Sequence, residues 1–335
     1  MCWFFGIFVG GDELFSWNKW ALEMTHGNFP THTYFYGQLL PSMFSITYVF
    51  TKQSEIQFFA KSIMPFFSLV ILLASLDLAM AIKKLGYWLA IPLQMFVIFV
   101  SWRQFPSITA GMADIPLATL TMLAISPLIL IMENAVKSDE IGFCFIITSI
   151  LISAAILCKQ GGWFLLPFFI LAMFFFRKKI CGVSGISLAR ILFRVGLLPI
   201  VCSFLWTIWC LYWIKSGKNQ FELRFSQNGL PNVLGTMGEI GLSERLRNAG
   251  VLLTSYLGGL PGLTFCILSG ISAMRFRIPR FLLLAMVLPF GMLWALVWSY
   301  DIRNLCFVFP VIALVCGVGV DGFVGYIFKF SHLKH

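Results

Sequence analysis

The chain is expected to be an all-α integral membrane protein with about ten transmembrane helices, the first of them truncated, and interfacial helices in its first outer loop. Three observations predict this class. Apolar residues make up 59% of the 335, charged residues only 11%, and mean hydropathy is +0.88, far more apolar surface than soluble cores of this size can hide. Apolar runs of roughly 17–25 residues, the length that crosses a bilayer, recur along the chain. Basic residues cluster in the short gaps between those runs, as orientation in a membrane requires. A formal net charge of +10 would suggest nucleic acid for a soluble domain, but its clustering here assigns it to topology, and no nucleic-acid partner is expected.

Taken in order, residues 1–10 (MCWFFGIFVG) would cover roughly 15 Å of a hydrocarbon core about 30 Å thick, half a span. They lack the basic leader and small-residue cleavage site of a signal peptide. Residues 11–57 form a first extracytoplasmic loop. Within it Leu14, Trp17, Trp20, Ala21 and Met24 recur at helical spacing while Ser16, Asn18, Lys19 and Glu23 fall elsewhere, the pattern of a helix lying in the interface. The segment 34–50 is about long enough to cross but is broken by Gly37, Gln38 and Pro41, and is read as interfacial.

Spans are then expected near 58–82, 87–103, 116–133, 141–158, 162–176, 191–213, 248–271, 281–298 and 305–328. With that threading, Lys83-Lys84, Lys137, the Arg177–Lys179 group, Arg275, Arg277, Arg280 and Lys329 fall on the cytoplasmic side. The opposite side receives the first loop, Asp114, Lys159, a long extracytoplasmic loop from 215 to 247, and Asp301 to Arg303. No repeat, linker or low-complexity tract divides the chain, so residues 1–335 are one polytopic domain.

Nine cysteines lie mostly inside apolar runs with no C-x-x-C pair, and read as small buried hydrophobes. His26 and His32 share the first loop with the acids and read as interfacial hydrogen-bonding groups. No phosphate-binding loop, dinucleotide fingerprint, HExxH pair or nucleophile elbow occurs, which excludes most soluble enzyme chemistries.

Chemistry is therefore sought among the ionisable groups of the outer face. Asp12 and Glu13 stand where the first apolar run ends. They suit two roles, starting the following helix, since carboxylates are favoured at its positive end, or chemistry on a membrane-bound substrate. Asp114, two residues before Pro116, suits capping or catalysis in the same way. Lys159, in a turn with Gly161 and Gly162, reads as a snorkelling lysine or a phosphate ligand; Arg303, beside Asp301, reads as half of a local ion pair or as a bidentate phosphate fork.

Together these residues resemble the glycosyltransferase C superfamily, membrane enzymes that use polyprenyl-phosphate sugars and include protein O-mannosyltransferases and lipid A aminoarabinose transferases. The run DELFSWNKWALEMTHGNFP is similar to that family's first outer loop, YGQLLPSMFSI to the segment after it, ADIPLATLTMLAI to its second acidic motif, CKQGG to its lysine-glycine turn, and DIRNLCFVFPVIAL to the arginine-to-proline stretch of a late helix. The likeness covers roughly residues 11–176 and 299–320; consecutive prolines found in many members after the first loop are absent.

The resemblance implies an inverting transfer of a sugar from a polyprenyl-phosphate donor to a hydroxyl on a lipid, glycan or protein, on the extracytoplasmic side of a bacterial inner or plasma membrane. Asp12 would be the general base, Glu13 and Asp114 would orient the acceptor, and Lys159 and Arg303 would hold the phosphate. A divalent cation, Mg or Mn, held by Asp12 and Asp114 is a further expectation, without a visible ligand set to specify it. A transporter or lipid flippase, or a non-catalytic relative, is the alternative; transport would favour mid-membrane ionisable groups on broken helices with repeat symmetry.

Overall fold

A computed structural model describes residues 7–8, 13–30, 36–104, 111–216, 241–298 and 302–332. All regular structure among them is helical. A wide helical turn Glu13–Asn18 leads into α1 (Lys19–Thr25), followed by α2 (Leu39–Thr51), α3 (Gln57–Ser62), α4 (Met64–Ile82), α5 (Leu85–Gln104), α6 (Asp114–Met132) and α7 (Ile141–Cys158). A 3-10 turn, Gln160–Phe164, opens α8 (Leu165–Phe175), then come α9 (Arg177–Ser184), α10 (Leu188–Lys215), α11 (Leu242–Tyr256) and α12 (Gly259–Ala273). The C-terminal part holds α13 (Arg277–Leu282), α14 (Leu288–Leu293) and, after the 3-10 stretch Ile302–Val308, α15 (Phe309–His332).

Among the described residues six helical segments are long and apolar enough to cross a membrane: Gln57–Ile82, Asp114–Met132, Ile141–Cys158, Leu188–Trp213, Arg277–Leu296 and Ile302–Gly325. A seventh is reached if α11 and α12 count as one bent span. Large apolar side chains left uncovered, such as Phe193, Leu197, Ile200, Phe204 and Ile208 along α10, are the faces that water would reject and lipid accepts.

Several expectations are corrected. The run 248–271 is not one straight span: the chain turns by 96° between α11 and α12, where Gly258 and Gly259 both adopt positive φ that side chains disfavour. The run 162–176 begins as a tight 3-10 turn, leaving an α8 of 11 residues. Leu39–Thr51, expected not to span, needs no such correction: it has 13 residues, roughly 20 Å of helix and short of a hydrocarbon thickness. Trp17, Trp20 and Ala21 are buried against protein, Trp17 and Trp20 packing edge-on and tilted against Tyr36. The half-span expected over 1–10 is described only at Ile7 and Phe8, and most of the expected 215–247 loop lies outside the described residues.

The centre of the bundle is α6. It starts with Pro116 in its first turn, is mostly buried along its length, and packs on α4 and α7. Its 19 residues span roughly 28 Å, about one hydrocarbon thickness, so Asp114 and Met132 mark opposite ends of the bundle.

α15 crosses its neighbours at backbone contact. A Cβ on Gly317 would lie 2.6 Å from the Gly86 carbonyl oxygen of α5, and one on Gly319 would lie 2.0 Å from the Ser269 carbonyl oxygen of α12. Small residues permit such crossings where lipid offers no hydrophobic drive between helices. Buried Gln94 of α5 ties the same pair, donating to the Pro310 carbonyl at 2.6 Å.

Candidate functional site

Three ends of helices meet beside the start of α6. Asp114 is its first residue, Lys159 is the residue at which α7 stops, and Arg303 lies in the 3-10 stretch that feeds α15. The turn after Lys159 is forced tight because Gly162 sits against the Ala155 carbonyl, where a Cβ would be 2.1 Å from its oxygen. That extended stop at Lys159 (φ −155, ψ 153) sends its side chain across to α6 instead of out to a membrane surface.

Lys159 Nζ donates to Asp114 Oδ1 at 2.5 Å and to Asn304 Oδ1 at 3.2 Å. The two charged side chains are 15% and 6% exposed, so this is a buried, hydrogen-bonded pair, not a snorkelling lysine. Burial pulls the ammonium's pKa down, but the charge and hydrogen bond of Asp114 outweigh it, and the group stays above the ordinary lysine value. The N-cap of α6 is Ala113, which supplies no side-chain cap, and the Asp114 carboxylate accepts from Lys159.

Arg303 Nη1 approaches Met112 Sδ at 2.9 Å, which seats the guanidinium against the segment leading to Asp114. The local pair expected with Asp301 falls on a residue outside the described ones. Asp114, Lys159, Arg303, Asn304, Gln160 and Tyr36 line one cavity of about 130 Å³.

Tyr36 brings the first loop to this cavity. Its ring packs on Trp17 and Trp20 at 5.7 and 6.1 Å, and the next residue, Gly37, touches α7 so closely that a Cβ would lie 2.1 Å from the Leu157 oxygen. Tyr48 of α2 donates to the buried Asn18 Oδ1 at 2.5 Å, locking α1 to α2. Nearby, the Phe8 ring abuts Gly111 and Phe44, and buried Lys61 donates to the Ile7 carbonyl at 2.8 Å.

No protein-family model, curated protein or solved structure matches the chain. What the cavity can do follows from its own residues. Two cations and one carboxylate line it, an excess of positive charge in a water-poor setting that suits an anion. Arg303 offers a planar fork of donors, and Lys159 keeps a third N–H beyond the two it uses.

Among the sequence-derived candidates, Asp114, Lys159 and Arg303 share this cavity; Asp12 lies outside the described residues, and Glu13 begins the first wide turn. Among the described residues no three His, Cys, Asp or Glu side chains gather as a metal-ligand set. Asp114, suggested with Asp12 as a cation ligand, accepts from the Lys159 ammonium; Asp12 lies outside the described residues. Tyr36, Asn304 and Lys61 were not foreseen; a lysine inside the apolar run FFAKSIMPFF was the one available signal.

Proposed function

We propose that the chain is a membrane glycosyltransferase that moves a sugar from a polyprenyl-phosphate donor to a hydroxyl acceptor at the extracytoplasmic face of a bacterial inner or plasma membrane. The observation that carries the reading is the gathering of Asp114, Lys159 and Arg303, from three remote stretches, on one cavity at an end of an apolar helix bundle. A lipid-linked phosphate sits at that depth, with its isoprenoid chain in the hydrocarbon and its sugar toward water.

In this reading Arg303 grips the leaving phosphate by its fork, and Lys159 adds a point charge. Both offset the negative charge that grows on the phosphate as the anomeric C–O bond breaks, a stabilisation strongest where water is excluded. Asp114 fixes the position of Lys159 and, with Glu13, faces the acceptor. Asp12 removes the acceptor's proton as its oxygen attacks the anomeric carbon from the side opposite the phosphate, worth about 10²–10⁴ in rate.

The test uses the full chain in lipid nanodiscs with a panel of radiolabelled polyprenyl-phosphate sugars and detergent-soluble alcohol acceptors. Sugar transfer by the native chain, and its loss by at least 100-fold in Arg303→Ala and Asp12→Asn proteins that remain folded, is the expected result. Transfer that persists in both variants, or lipid flipping in proteoliposomes with no transfer to any acceptor, would overturn the assignment.

A further inference from the structure

At the far end of the bundle Lys84, Lys179 and Arg277 surround a second cavity, of about 330 Å³. It lies roughly 28 Å from the first along α6, since Met132 and Glu133 line it just where that helix ends. The three cations come from separate elements: Lys84 from the α4–α5 turn, Lys179 from α9, and Arg277 from the start of α13.

Two carboxylates, Glu133 and Asp321, share the cavity, and both are already committed. Glu133 accepts from Lys84 and, at 3.0 Å, from the buried Tyr87 hydroxyl. Asp321 Oδ2 accepts from the Gly86 backbone N–H at 3.1 Å, satisfying a donor at the start of α5. Lys179 and Arg277 pair with no carboxylate among the described residues. Lys179 donates to the Met132 carbonyl, leaving two further N–H groups. Arg277 lies over the Phe175 and Phe176 rings at 5.6 and 5.3 Å, a contact that uses its face and leaves its edge donors for an anion.

The same cavity has an apolar wall of Ile278, Pro279, Val318 and the more exposed Phe276. Cations beside an apolar wall, at the end of membrane-length helices, suit a phosphate headgroup joined to acyl chains. Exposed Lys83 and Arg275 neighbour lining residues in the chain and add to the attraction for an anionic leaflet.

We propose that this cavity binds the phosphodiester of an anionic glycerophospholipid from the adjoining leaflet, with Arg277 and Lys179 as its ligands. The site is separate from the sugar-transfer cavity and does not depend on that reading.

The full chain in detergent is titrated with short-chain phosphatidylglycerol and, separately, phosphatidylcholine, and bound lipid is counted by native mass spectrometry. Native protein is expected to retain phosphatidylglycerol at least tenfold better than phosphatidylcholine. Arg277→Gln and Lys179→Gln each remove that preference, Arg277→Lys keeps part of it, and Lys178→Gln, outside the cavity, leaves it unchanged. Phosphatidylglycerol also raises the unfolding temperature of the native chain and of Lys178→Gln but not of Arg277→Gln, which separates lost binding from lost folding. Equal retention of the two lipids by the native protein, or a preference that survives both glutamine variants, overturns the proposal. So does displacement of phosphatidylglycerol by an equal concentration of soluble glycerol phosphate, which would make the ligand a soluble anion.

Discussion

Asp114→Asn changes one oxygen for a nitrogen and removes the charge that holds Lys159. The partners stand 2.5 Å apart with side chains only 6% and 15% exposed. At an effective dielectric of about 20, unit charges that close attract by roughly 6–7 kcal/mol. Withdrawing each from water costs several kcal/mol, so the pair as a whole gains little over an apolar pair of the same shape. Breaking it is different, because Lys159 is left charged in a dry place with only neutral amide oxygens, that of Asn304 and that of the substituted side chain, as acceptors. The expected loss is about 3–5 kcal/mol. With an unfolding entropy near 2.1 cal/mol/K per residue over 335 residues, that lowers the unfolding midpoint by roughly 4–7 °C. The assay is thermal unfolding in nanodiscs, followed by tryptophan fluorescence, for the native chain, Asp114→Asn, Lys159→Met and the double variant. Each single change should lower the midpoint by that amount, and the double variant should recover to within about 2 °C of native. Losses that simply add in the double variant would refute the buried pair.

Arg303→Lys keeps a charge but loses the fork, and sugar transfer should fall about 100-fold with an unchanged melting curve; an unchanged rate would remove the phosphate role. Gly37→Ala would put a methyl 2.1 Å from the Leu157 oxygen, displacing the start of α2 and lowering stability by about 1–3 kcal/mol in the same melt. Tyr48→Phe strands the Asn18 oxygen in a buried site, and should cost about 1–3 kcal/mol; a neutral result would mean that α1 docks without that bond. Lys159 has a raised folded-state pKa, so its contribution is whole below the unfolded value near about 10.4 and is lost as pH rises through the folded one. The melting midpoint should therefore hold steady on this account up to that range and fall beyond it, and the fall should be smaller in Lys159→Met.

How much of this was legible in the sequence depends on the reach of each signal. Long apolar runs such as 116–133 and 141–158 announce helices because bilayer thickness sets their length, and the ends of those runs locate Asp114 and Lys159 to within two residues. Hydropathy has no sense of direction, however, so the run 248–271 stays continuous through a bend that two glycines impose. An apolar stripe also looks the same whether lipid or protein covers it, which is why Trp17 and Trp20 read as interfacial when Tyr36 and α2 enclose them. The Asp114–Lys159 bond joins residues 45 apart in the chain, and no local pattern encodes that distance. Tyr36 and Asn304 are ordinary polar residues at helix ends, visible as site residues only once the ends are brought together.

The double grip on α15 has a mechanical consequence. A rod met at mid-length on two sides, by Gly86 at Gly317 and by Ser269 at Gly319, has no space at either crossing for a side chain larger than hydrogen, so two missing methyls fix its register against both neighbours.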